Sequence, residues 1–120
     1  MTTLAIVAKD IPSNITIINK IRDFYASVDD FVILSDEGCQ IAMGLTYSLL
    51  SSYYIRFLKG TLIFLDIKQY LEYKDKVVGN IILYLEQGDI HLLDKSLIGD
   101  VDILTIDFND KPLLIRGSNV

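Results

Sequence analysis

A single three-layer α/β domain, built on a mostly parallel, doubly wound sheet, is the fold class that the sequence predicts. Three observations carry that expectation. Five short apolar runs, at residues 4–8, 31–34, 61–65, 81–85 and 103–106, have the length and continuity of strands buried on both faces. Segments of helical period separate them, as parallel neighbours require. Each run is followed within a residue or two by a carboxylate, and Asp10, Asp36, Asp66, Glu86 and Asp107 would then gather at one edge of the sheet.

The first run leads into Asp10-Ile11-Pro12-Ser13-Asn14, where Ser13 or Asn14 is expected to accept from the free amides of the next helix. Ile17, Ile18, Ile21, Phe24, Tyr25 and Val28 recur at three- and four-residue steps and predict that helix, with Lys20, Arg22 and Asp23 off the stripe. The second strand, 31–35, ends at Asp36-Glu37-Gly38. A long helix is expected next. Leu45, Leu49, Tyr53 and Phe57 make one apolar row and Leu50, Tyr54 and Leu58 the adjacent one, with Gly60 as a left-handed stop. Strand three, 61–65, follows at once, and Asp66 stands where it would cap a short helix carrying Ile67, Tyr70 and Leu71. Gly79-Asn80 turns into strand four, 81–85, and a shorter helix at about 90–98 carries Leu92, Leu93 and Leu97. Strand five spans 101–108, Asn109-Asp110-Lys111-Pro112 turns, and 113–115 returns as an antiparallel edge. Right-handed crossovers restrict this alternation to a few orders, so a five-stranded flavodoxin-like or Rossmann-like sheet is expected.

At 120 residues, 51% of them hydrophobic, the chain suits one domain with a substantial core. A net charge of −5 and scattered basic residues argue against nucleic-acid binding, which needs Lys and Arg to replace phosphate counterions. Cys39 is the one cysteine, so no internal disulfide forms, and a small buried or half-buried side chain is expected there. Residues 38–55 carry no charge, but Gln40, Thr46, Ser48, Ser51 and Ser52 interrupt them, which favours a buried helix over a membrane span. Met1-Thr2-Thr3 has no basic leader chemistry, and the expected location is the cytoplasm.

Phosphate loops are missing. The turn after the first strand is Ala8-Lys9-Asp10-Ile11-Pro12, without G-x-G-x-x-G, and an acid there opposes a pyrophosphate. Lys59-Gly60-Thr61 has the wrong order for a P-loop. One histidine, His91, and one cysteine make neither a zinc cluster nor a nucleophile–base pair of diagnostic spacing. The strand-end acids leave one site hypothesis. Asp10, Asp66 and Asp107 could ligate a divalent cation such as magnesium, with Lys9 or Lys111 on a substrate phosphate. Helix capping explains acids at these positions equally well and is the favoured expectation.

Leu62-Ile63-Phe64-Leu65-Asp66-Ile67 and Lys111-Pro112 resemble the phospho-acceptor strand and the lysine–proline pair of response-regulator receiver domains. The resemblance implies an α/β fold with Asp66 as acceptor. The chain departs from the pattern where Asp10 stands alone instead of in an acidic pair, and where Leu85-Glu86 replaces the hydroxyl residue. Within the resemblance, a relative that is not phosphorylated is expected over a working phospho-receiver. Tyr47, Tyr53, Tyr54, Tyr70, Tyr73 and Tyr84 suit either helix–sheet packing, which is favoured, or an interface such as a homodimer. The functional expectation is a small cytoplasmic binding or protein-interaction module, with a protein partner or a second copy of itself and no cofactor. Its competitor is a divalent-cation-dependent enzyme or receiver-like domain acting on a phosphorylated or nucleotide-sugar ligand at the carboxyl edge of the sheet.

Overall fold

The computed structural model describes residues 3–28, 30–35, 47–49, 59–92, 94–107 and 109–117. Its strands are β1 (Thr3–Ala8), β2 (Asp30–Ser35), β3 (Tyr47–Leu49), β4 (Thr61–Phe64), β5 (Asn80–Tyr84), β6 (Asp102–Ile106) and β7 (Pro112–Ile115). They form one sheet in the order β3-β2-β1-β4-β5-β6-β7, in which every neighbouring pair is parallel except β6 with β7. Helix α1 (Ile15–Phe24) lies between β1 and β2, α2 (Ile67–Tyr73) between β4 and β5, and α3 (Lys95–Ile98) between β5 and β6. The chain is thus α/β with a mostly parallel sheet.

The apolar runs are continuous because both faces of the sheet are covered. A strand's two-residue period sends Leu4, Ile6 and Ala8 to one face and Ala5 and Val7 to the other. On the first face Leu4, Ile6, Ile33, Ile63 and Leu104 cluster with Ile18 and Ile21 of α1. On the second, Ala5, Val7, Leu62, Phe64, Leu83 and Ile103 cluster with Tyr70 of α2 and Ile98 of α3. Ala5, Ile6, Val7 and Ala8 are fully inaccessible, which makes β1 the centre of the core. Each buried isoleucine or leucine contributes about 1.5–3 kcal/mol of transfer free energy. The Phe64 and Tyr70 rings meet edge to face with centroids 5.9 Å apart. The Tyr70 hydroxyl donates to the Ile98 carbonyl and ties α2 to α3.

Several expectations need correction. Among the described residues the sheet has six parallel strands and an antiparallel seventh, not five parallel strands with an antiparallel edge. The additional parallel strand is Tyr47–Leu49, which pairs Ile33 with Tyr47, Leu34 with Ser48 and Ser35 with Leu49. Those residues fall inside the helix expected over 45–58, whose other positions lie outside the described residues. A three-residue strand is too short to impose its own period on the sequence, and ladder pairing to β2 overrides helical patterning. The helix expected at 90–98 is a 3-10 turn (Gln87–Leu92) followed by α3. Asp94 separates them, its Oδ1 accepting from the Ser96 amide at 3.0 Å.

Helix α1 stops at Phe24, and Val28 lies beyond it in a turn whose amide donates to the Tyr25 carbonyl at 3.1 Å. Gly60 is not a left-handed stop. Among the described glycines only Gly99 has a positive φ, 73°, and it ends α3. At Gly60 the constraint is steric, since a Cβ there would sit 2.0 Å from the Thr3 carbonyl oxygen of β1.

The antiparallel edge forms as expected, beginning at Pro112. The Asp107 amide donates to the Lys111 carbonyl at 2.8 Å, so backbone polar groups at 112 and 114 face away from β6. Proline therefore removes no ladder bond, and it blunts an edge that could otherwise pair with another chain.

Candidate functional site

Strand order reverses between β1 and β4, because the chain leaves β1 for β2 on one side and returns to β4 on the other. Open α/β sheets form their ligand crevice outside the carboxyl ends at such a point. Two turns flank that point here. Lys9 and Asp10 follow β1, Leu65 and Asp66 follow β4, and the Leu65 amide donates to the Val7 carbonyl at 2.9 Å. The buried Ser35 at the end of β2 donates its hydroxyl to the Lys9 carbonyl at 3.1 Å, which fixes the first turn from the side.

Asp10 closes its own turn. Its Oδ1 accepts from the Ser13 amide at 2.8 Å and from the Ser13 hydroxyl, and its carbonyl accepts from Asn14 Nδ2 at 2.7 Å. The expected cap at Ser13 or Asn14 is thus reversed, with both residues donating to Asp10. Pro12 carries no amide hydrogen, and the Asn14 amide donates to the Ile11 carbonyl at 3.1 Å. The approach to α1 therefore has no free amide at Pro12, Ser13 or Asn14 to receive a phosphate. Hydrogen bonds from the Ser13 side chain and amide hold the Asp10 carboxyl below its ordinary range. The sequence signal was an acid three residues before a serine, but capping rules read from Ser13 forward missed it.

Asp66 caps α2 as expected, its Oδ1 accepting from the Lys68 amide at 2.7 Å and the Gln69 amide at 3.3 Å. Asp107 plays a different part. It heads a three-residue hairpin loop, where its Oδ1 accepts from the amides of Asn109 and Lys111, both at 2.9 Å. The Asp110 amide donates to the Asp107 carbonyl at 3.0 Å, and Asp110 itself is left-handed with φ 64°. A tight turn closed by a left-handed residue is a common three-residue hairpin connection, and aspartate tolerates that conformation.

The structure sets the ends of β1 and β4 side by side, so Asp10 and Asp66 follow adjacent strands. It does not bring Asp107 to them. β5 intervenes between β4 and β6, so the ends of β1 and β6 lie three strand spacings apart, about 14 Å. Oxygen ligands of one hard cation lie about 2.0–2.6 Å from it. Among the described residues, no three histidine, cysteine, aspartate or glutamate side chains gather closely enough to hold a metal ion. Lys9 and Lys111, the expected phosphate partners, are both exposed. Glu86 is exposed after β5, and its carbonyl accepts from the Asp89 amide at 2.9 Å. Asp36 and Cys39 lie outside the described residues, and His91 falls in the 3-10 turn after β5.

Tyr70 and Tyr84 are buried in the two faces of the core, as the packing expectation had them. Desolvation raises the pKa of both phenols, helped by Asp75 near Tyr70 and by Glu86 near Tyr84. At the opposite, amino edge of the sheet a cavity of about 400 Å³ opens over Leu4 and Ile82, between Tyr25 and Val28 on one side and Leu114 and Arg116 on the other. Burial raises the pKa of the Tyr25 phenol. No helix among the described residues is long and apolar enough to cross a membrane. The sequence matches no protein family, no curated protein and no solved structure.

Proposed function

We propose that this chain is a small cytoplasmic binding or protein-interaction module without catalysis of its own, its partner a protein or a second copy of itself. One observation carries the reading. The turns at the carboxyl edge that would cradle an anion are closed by the chain's own aspartates, with Asp10 on Ser13, Asp66 on Lys68 and Gln69, and Asp107 on Asn109 and Lys111. Helix starts recruit phosphates through unsatisfied amides and the positive end of the helix dipole. At the start of α2 Asp66 supplies both the acceptor and the negative charge, and Asp10 does so for the Ser13 amide in the turn that leads into α1, which leaves a phosphorylated substrate less to gain at both places.

We infer a doubly wound, three-layer sheet of Rossmann-like rather than flavodoxin-like order. Without β3 the order would be the flavodoxin-like one, and the short pairing of β3 beside β2 supports the longer alternative.

A second reading has its own support. Asp10 and Asp66 end adjacent strands at the reversal point, and their turns use Oδ1 of each, so a divalent cation could bridge the second oxygens to a phosphorylated or nucleotide-sugar ligand. Thermal-shift measurements with and without magnesium, against nucleotides, nucleotide sugars, flavins and acetyl phosphate, separate the two. A ligand at 100 times its dissociation constant adds about 2.7 kcal/mol, or several degrees of midpoint. The module reading predicts no magnesium-dependent shift, and a shift with one ligand class would overturn it.

A further inference from the structure

We draw no further inference here: the strongest candidate, the cavity of about 400 Å³ at the amino edge of the sheet between the turn after α1 and strand β7, carries nothing, because its two charged lining groups, Asp102 and Arg116, already pair with each other and nothing in the structure shows what covers its apolar floor.

Discussion

Replacing Asp66 with alanine separates a structural carboxylate from a ligand-binding one. Asp66 Oδ1 accepts from two amides at the start of α2, 2.7 Å from Lys68 N and 3.3 Å from Gln69 N. Losing an N-cap acceptor typically costs about 1 kcal/mol, within a range of about 0.5–2. The upper half of that range applies here, because Gln69 is only 4% exposed and water cannot freely replace the lost acceptor at its amide. For a domain of this size about 1 kcal/mol lowers the thermal midpoint by about 4 °C. Asp66→Asn keeps an acceptor oxygen at the same position and should recover most of the loss. Urea and thermal denaturation of the parent and both variants measure the difference. An alanine variant as stable as the parent, or more stable, would refute the reasoning, because a carboxylate held unspent for a ligand relieves strain when it is removed.

The remaining predictions concern other parts of the fold. Ser13→Ala should move the Asp10 carboxyl part of the way back toward its ordinary pKa of 3.8, measured by carboxyl NMR titration, because it removes the hydroxyl bond, the largest cause of the lowering, and leaves the amide bond of residue 13 in place. The sign follows from the lowered value: the contribution of Asp10 is complete above about pH 4 and is lost as pH falls through its depressed pKa, and the loss is small because the turn is exposed to solvent. Gly79→Ala should destabilise by about 2 kcal/mol or more, since the new Cβ would meet the Gly60 carbonyl oxygen at 2.0 Å. Gly88→Ala, with nothing within 4 Å, should stay within about 0.5 kcal/mol in the same denaturation assay. Burial favours the neutral forms of Tyr25, Tyr70 and Tyr84, so their stabilisation holds up to about pH 10 and declines above it as the unfolded chain ionises first. Near-ultraviolet titration should show delayed phenol ionisation in the folded protein and its release on unfolding.

Much of the architecture was legible because strands buried on both faces announce themselves as unbroken apolar runs. β1, β2, β4, β5 and β6 all fall within a residue or two of the runs that predicted them. Asp66 was legible as a cap because one residue type at one offset before a helix determines the bond. The antiparallel return after Asn109-Asp110-Lys111-Pro112 was legible for the same local reason. What escaped depends on partners distant in sequence. Tyr47–Leu49 is a strand because β2 offers an unpaired edge, and three residues among helix-period neighbours carry no such information. The requirement for Gly60 comes from Thr3, fifty-seven positions earlier in the chain, and only the β1–β4 register exposes it. The candidate site was half legible. Acids after the strands were plain, but the order that makes Asp10 and Asp66 follow neighbouring strands, with Asp107 following a strand three places from β1, is a property of the sheet.

The amides of Ser13, Lys68, Gln69, Asn109 and Lys111 at the carboxyl edge are already occupied by Asp10, Asp66 and Asp107. Amide proton–nitrogen correlation spectra, recorded while magnesium and inorganic phosphate are titrated in, test it residue by residue. The account predicts that the amides of Ser13, Lys68, Gln69, Asn109 and Lys111 stay where they are, because their acceptors do not change. Saturable shifts of Ser13 and Lys68 at a common dissociation constant would contradict it and make the crevice between β1 and β4 an anion or metal site.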